Sequence, residues 1–257
     1  MKKQLFTLFL AVATTFVACK DDNDSIPDVE SPGKLLSKVT ETEDGEITVY
    51  NLTYDNNKRL TSYKEQNNAE AANFTYDANG NITKLEFVEG ESKTVFEVTY
   101  NNGVPTTGKF RSDDDDIEED LILTYTVVNN QVTEITQKLG TLEYGKSIIT
   151  YQNGNVAKVV TEITLPVDEE LDEIPDLSST ITYTYGTKKN MFPSAGFKYM
   201  IDPMGLSARF FAKNEILSEK YEGFINATTT YQYTYDSDSY PLTGTDNNGV
   251  TYKYDYK

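Results

Sequence analysis

Two groups of carboxylates are the densest candidates for chemistry in the sequence: Asp113-Asp114-Asp115-Asp116 with Glu118-Glu119-Asp120, and Asp168-Glu169-Glu170 with Asp172-Glu173. A suitably spaced pair of carboxyl groups hydrolyses a glycosidic bond, one acting as acid and the other as base or nucleophile. Clustered carboxylate oxygens also collect hard cations, which makes Asp113, Asp114, Asp115 and Asp116 a candidate weak cation loop. The run has neither the glycine nor the closing glutamate of the helix-loop-helix calcium pattern. Nothing in the sequence pairs these acids, and charge runs of this kind ordinarily form solvated loops, so no catalytic residue is assigned. The chain has no histidine, which excludes Ser-His-Asp and Cys-His nucleophiles, imidazole metal sites and the commonest general base. Its glycines sit among turn residues and never lead a strand into a helix, which removes a phosphate-binding loop. No cofactor and no metal are expected.

The other residues with recognition chemistry are the 19 tyrosines. Their rings could stack on sugars, although the absence of tryptophan, the larger amphipathic ring, argues mildly against a dedicated glycan platform. Most of them obey a strand period described next. Tyr63, Tyr144, Tyr199, Tyr221 and Tyr240 do not, and these five are the candidate ligand contacts.

The elements that must position such residues announce themselves by repetition. Segments beginning at Leu52, Phe74, Val98, Leu123, Ile149, Ile181 and Tyr233 share one grammar: apolar residue, Thr, Tyr, turn residues, then a second strand-like run. Apolar and tyrosine side chains two apart fall on one face, as in Leu52 and Tyr54 or Phe74 and Tyr76, while Thr53 and Thr75 fall on the other. Such alternation, rich in β-branched and aromatic residues, fits antiparallel strands with one buried and one wet face. Asn79-Gly80, Asn102-Gly103, Asn153-Gly154 and Asn248-Gly249 follow or separate the runs, and Asn-Gly supplies the positive φ angles of tight hairpin turns. An earlier hairpin is expected from Leu35 across Asp44-Gly45 to Tyr50. Tyr54, Tyr76, Tyr100, Tyr125 and Tyr151 follow one another at intervals of 22 to 26 residues, which leaves no room for helical crossovers.

The fold class expected is therefore all-β: a long antiparallel meander of repeated hairpins forming a curved or partly closed sheet. Residues 34–257 form this single domain. One non-repeat insertion, residues 190–224, carries Met191, Phe192, Phe197, Met200, Ile201, Phe210 and Phe211. It is expected to pack on the apolar face, with a short helix from Pro203 to Ala212.

The first residues set a different kind of expectation. Lys2 and Lys3 precede an apolar run from Leu5 to Val17, too short to span a bilayer as a helix. The run ends at Phe16-Val17-Ala18-Cys19, which resembles the lipobox of bacterial lipoproteins, with Phe16 where leucine is usual. Residues 1–18 then read as a signal peptide, and Cys19, the only cysteine, as the lipid-bearing N-terminus of a disordered acidic tether over 19–33. Lys20, Asp21 and Asp22 resemble the Lys-acidic export signal of Bacteroidota surface lipoproteins, and Asp24-Ser25-Ile26 resembles their O-glycosylation site at Ser25.

The cadence Tyr76-Asp77-Ala78-Asn79-Gly80-Asn81-Ile82-Thr83, with Tyr54-Asp55 and Tyr235-Asp236, resembles the tyrosine-aspartate repeat of large secreted toxin shells. With the lipobox, the insertion near Asn214 and Tyr240-Pro241, the chain is similar to uncharacterised Bacteroidota lipoproteins built from such hairpins, a domain of unknown function. That resemblance implies no catalytic residues. The formal net charge is −18, and so acidic a surface repels phosphate backbones, which excludes nucleic acid as a partner.

The function expected is a non-catalytic, lipid-anchored, monomeric outer-membrane protein, at the cell surface, with a binding or structural role toward a glycan or a protein. The alternative is a periplasm-facing lipoprotein that assists envelope assembly or carries an apolar ligand. A carboxylate-dependent glycan hydrolase is the least supported reading.

Overall fold

The structure, a computed structural model, describes residues 33–113, 120–163, 178–192, 197–205, 207–223 and 226–257. The leader, Cys19, Lys20, Asp21, Asp22, Ser25 and Asp114 to Asp116 lie outside the described residues.

Alternating apolar and polar residues produce strands throughout. In chain order they are β1 (Leu36–Glu43), β2 (Glu46–Tyr54), β3 (Leu60–Glu65), β4 (Glu70–Tyr76), β5 (Ile82–Glu89), β6 (Ser92–Asn101), β7 (Val104–Ser112) and β8 (Leu121–Val128). They continue as β9 (Gln131–Leu139), β10 (Leu142–Gln152), β11 (Asn155–Ile163), β12 (Ser179–Lys189), β13 (Asn214–Gly223), β14 (Ala227–Tyr235), β15 (Pro241–Asp246) and β16 (Thr251–Tyr256). One helical turn, α1 (Ala208–Phe211), lies between β12 and β13. Every strand pairs antiparallel with its sequence neighbours, and β1 pairs with β16, Val39 opposite Tyr254.

The sheet is thus a closed barrel, where the repeat pattern points only to a curved or partly closed one. Closure satisfies both edges, which an open sheet of this width would leave unpaired. The insertion is also shorter than expected: Asn214–Gly223 is a barrel strand, and the helix begins at Ala208 rather than Pro203.

The repeat has a physical meaning. In β2, β4, β6, β10, β12 and β14 the pairing register shifts between a Thr and the Tyr that follows it, as at Thr53/Tyr54, Thr75/Tyr76 and, one dipeptide after the repeat's own Tyr183, Thr184/Tyr185. Each shift leaves one extra residue on the partner strand, such as Thr61 on β3 or Thr83 on β5, a bulge that raises local twist and suits the curving of a sheet to closure. The hydroxyls of Tyr54, Tyr76, Tyr100, Tyr151, Tyr185 and Tyr256 donate at 2.6 to 2.9 Å to the carbonyls of Leu36, Leu60, Ile82, Val132, Val156 and Pro241. A girdle of tyrosines therefore rims the barrel end at which residue 33 enters and Lys257 leaves.

The turns at that end are of two kinds. Asn102-Gly103 and Asn153-Gly154 have φ of 51° and 78°, and 53° and 79°, as a two-residue hairpin turn requires. In the Tyr-Asp repeats the aspartate closes a longer turn: Asp77 Oδ1 accepts from the backbone N–H of Asn79 and of Asn81, both at 2.8 Å. Asp55 and Asp236 do the same.

Barrels of this strand number commonly enclose an aqueous channel. This one is filled. The described residues between β12 and β13, starting at the girdled end, place Phe192, Phe197, Met200, Ile201 and Phe210 in one core with inward residues such as Leu36, Leu85, Phe96 and Leu123. Phe210 lies edge-on to Phe74 at 5.1 Å and to Phe192 at 4.7 Å. The wall also satisfies the segment's backbone: Tyr125 donates to the Ile201 carbonyl, Ser147 and Thr161 to Pro203, and Tyr183 to Gly205, at 2.9 to 3.0 Å.

The outer face is the polar one. Cross-strand ion pairs decorate it, among them Lys38–Asp255 at 2.9 Å, Lys93–Glu86 at 2.9 Å and Lys146–Glu134 at 2.8 Å. Exposed large apolar residues such as Ile47, Ile122, Ile148 and Leu242 are scattered over β2, β8, β10 and β15. A membrane-spanning barrel has the reverse arrangement, an apolar outer band around a polar lumen.

Candidate functional site

Four inward-phased carboxylates gather inside the barrel toward the end opposite the tyrosine girdle. Glu41 occupies the phase of Val39 on β1, Glu70 that of Ala72 on β4, and Glu219 faces inward from the middle of β13; Asp246 closes β15. Alternation would place apolar side chains at such positions, so each acid must be paid for by a partner or a shifted pKa. Glu70 accepts from the Tyr50 hydroxyl at 3.0 Å, and Asp246 from that of Tyr252 at 3.0 Å. Asp246 also accepts the backbone N–H of Asn248 and of Val250, closing the β15–β16 turn.

Glu219 meets the inserted segment, where Arg209 of α1 brings Nη2 to 3.6 Å from its Oε1. The Glu219 side chain is 1% exposed and that of Arg209 18%. Glu219 Oε2 is buried with no hydrogen-bond partner among the described residues.

A cavity of about 40 Å³ lies between these groups. Val39 and Glu41 from β1, Tyr63 from β3, Ile216 and Glu219 from β13, and Tyr231 and Tyr233 from β14 form part of its wall. Tyr252 and Tyr254 of β16 complete the barrel's share, and the insertion supplies Asn190, Phe192 and Arg209. Gly244 on β15 makes room for this packing: a Cβ there would lie 3.0 Å from the Tyr233 ring and 3.2 Å from the Tyr254 hydroxyl. Tyr63 stacks on Tyr50 at 4.8 Å between ring centres.

The electrostatics follow from burial. Burial pushes Glu41 up to about 7, with Glu43, Glu70 and Asp246 adding to the rise and Arg209 opposing it. Glu70 is pushed up to about 7 by burial, against the hydrogen bond from Tyr50. Burial likewise raises Glu219 to about 7, against the attraction of Arg209. Burial alone would lower the Arg209 guanidinium, but Glu219 holds it above its ordinary value. Among the described residues Arg209 is the only cation lining the cavity, so ionising both lining carboxylates leaves one negative charge uncompensated. Groups of this kind bind and orient charge; no nucleophile is paired with a base here.

Of the five tyrosines set aside as ligand contacts, the structure brings only Tyr63 to the cavity. Tyr144 lies near the start of β10 and Tyr221 near the end of β13, both packed against the core. Tyr199 sits in the insertion, 6.3 Å from Tyr100, and Tyr240 caps the girdled end, 5.4 Å from Tyr256 with Lys189 over its ring. They do not form one surface, because the period that excluded them from the repeat does not group them in space. Glu41, Glu219 and Arg209 escaped sequence reasoning, although carboxylates in an otherwise apolar strand phase are a legible signal. Asp113 is described and Asp114 to Asp116 are not; among the described residues, no cluster of three or more acidic side chains is placed to hold a metal ion.

The site and fold define a closed, plugged β-barrel with a buried acidic cavity. No protein-family model matches the sequence and no curated protein matches it. Among solved structures, the chain is similar in fold to a porin-like protein from Bacteroides uniformis, at 16% identity and a TM-score of 0.51, covering 86% of this chain and 98% of that one. A porin-like protein from Bacteroides vulgatus is similar at 13% identity and a TM-score of 0.50, over 88% of this chain and 99% of that one. At these identities the likeness concerns the barrel fold.

Proposed function

We propose that the chain is a non-catalytic lipoprotein of the outer membrane, its barrel held beside the bilayer at the cell surface on a lipidated tether, with a binding role. The observation that carries this reading is the inverted wall: polar and ion-paired outside, apolar and filled inside. A barrel so built gains nothing from immersion in hydrocarbon, where each lysine or arginine near the midplane costs about 2–4 kcal/mol. Attachment then falls to the lipid on Cys19, and the Lys20-Asp21-Asp22 signal supports the outer face. Backbone hydrogen bonds join Leu35 and Lys257 at 2.9 and 3.0 Å, so the tether joins the barrel at the girdled end and the acidic end faces away from it. The porin-like Bacteroides neighbours accord with an outer-membrane setting. A carrier of large apolar ligands is disfavoured, because the interior is already packed.

The reading is tested by protease treatment of intact cells and by metabolic labelling with palmitate. The protein should be cut on intact cells, and Cys19→Ala should lose the label and leave the membrane fraction. Labelled protein that survives protease until the outer membrane is opened would place it on the periplasmic side, and an unlabelled protein would remove the anchor from the account.

A further inference from the structure

The cavity combines three properties. It is lined by aromatic residues, it holds two carboxylates against one guanidinium, and one of those carboxylates has a buried oxygen with no hydrogen-bond partner among the described residues. We propose that this cavity binds a small organic cation, the ammonium end of an amine, between the carboxylates of Glu41 and Glu219 and the rings of Tyr63, Tyr231 and Tyr252.

Each property selects the same ligand. A buried carboxylate oxygen without a donor is costly, and an ammonium group supplies up to three donors together with the missing positive charge. Arg209 stands 3.6 Å from Oε1 of Glu219, and Oε2 is the oxygen left without a donor. Tyrosine faces attract cations, the more so away from bulk water. An anion would meet Glu41 and Glu219 together, and the excess negative charge of Glu70 and Asp246 lies behind them. About 40 Å³ is room for roughly two or three water molecules, which accommodates an ammonium head. The inference names the ligand class of the binding role proposed above and does not depend on the anchor or on which side of the membrane the barrel lies.

The test is calorimetric titration of the full chain with methylammonium chloride at pH 8, with sodium chloride at equal ionic strength as reference. So small a ligand is held in the millimolar range at best. Saturable binding is expected, weakened at least tenfold by Glu41→Gln and by Glu219→Gln, and unchanged by Glu134→Gln on the outer wall. Glu41 is part-exposed, so Glu41→Gln is expected to fold normally; its circular dichroism and melting temperature verify this, which keeps the test decisive if Glu219→Gln is unstable. Binding should also fade by pH 5.5. Glu41 faces Glu43, Glu70, Asp246 and Arg209, and Glu219 faces Arg209 and the tyrosines around it; with both acids raised to about 7, protonation at the lower pH removes the charge the ligand needs. No saturable heat up to 100 mM would overturn the proposal, as would equal binding by Glu41→Gln. These outcomes are independent of shaving and palmitate labelling, so the cavity and the anchor can fail separately.

Discussion

The hydroxyl of Tyr125 on β8 donates to the backbone carbonyl of Ile201 at 2.9 Å, tying the barrel wall to the segment that fills it. Both residues are buried, so Tyr125→Phe leaves a carbonyl without its donor. A loss of about 1–2 kcal/mol is expected, or roughly 3–6 °C in Tm for a domain of this size. Hydrogen exchange should speed up in residues 197–213 more than in the strands, because the bond holds the segment rather than the sheet.

Much of this arrangement was legible in the sequence. The strand phase of Leu52, Phe74 and Ile149, the turns at Asn102-Gly103 and Asn153-Gly154, and the apolar character of Phe192 through Phe210 were all readable, because each depends on residues close in the chain. Closure was not, since Val39 and Tyr254 pair across nearly the whole sequence and no local pattern marks the seam. The threonine-tyrosine repeat was visible, but its bulge was not: the extra residue, Thr61 opposite Thr53 and Tyr54, lies on the partner strand, where only the pairing reveals it. The cavity was hidden for another reason. Glu41, Glu219 and Arg209 come from three distant segments, and only the path of the insertion brings the arginine to the acids.

The turn aspartates should contribute to stability individually. Burial, the largest single influence, raises the Asp77 carboxyl, but the Asn81 side chain, the N–H groups of Asn81 and Asn79 and the charge of Lys198 together hold it below the usual range. Asp77→Ala is expected to cost about 1 kcal/mol, and Asp77→Asn less, since an amide oxygen still accepts. Urea unfolding of the two variants measures the difference; equal losses would mean that charge, rather than turn geometry, is what matters.

Close packing at Gly108 makes a sharper prediction. A Cβ there would lie 2.5 Å from the Glu97 carbonyl oxygen and 2.9 Å from the Tyr125 hydroxyl. Gly108→Ala must push β7 away from β6 and disturb the tyrosine that anchors the insertion. A loss of about 2 kcal/mol or more is expected, read as a lower urea midpoint with the slope retained.

Acidification should first stabilise the barrel. Glu41, Glu70 and Glu219 have folded-state values of about 7 against an ordinary 4.5. Groups raised on folding favour the folded state fully below 4.5 and lose that effect as pH climbs through 7. Tm should therefore rise by several degrees from pH 8 to pH 5. Asp55, Asp77 and Asp236 are held below their ordinary 3.8, so their contribution is present above that value and disappears under stronger acid. Differential scanning calorimetry from pH 8 to 3 should show a maximum near pH 5; a steady fall from pH 8 would contradict the raised values.

The seam between β1 and β16 has a consequence for how the molecule comes into being. The first strand to emerge during synthesis is completed by the last, so until Thr251–Tyr256 arrives every partial product carries two raw strand edges. Such edges invite pairing with other chains, and pairing partners so remote in sequence slow folding. A protein built this way is at its most vulnerable just before it is finished, and a chain truncated by even its last few residues should be found in aggregates rather than as a slightly weakened barrel.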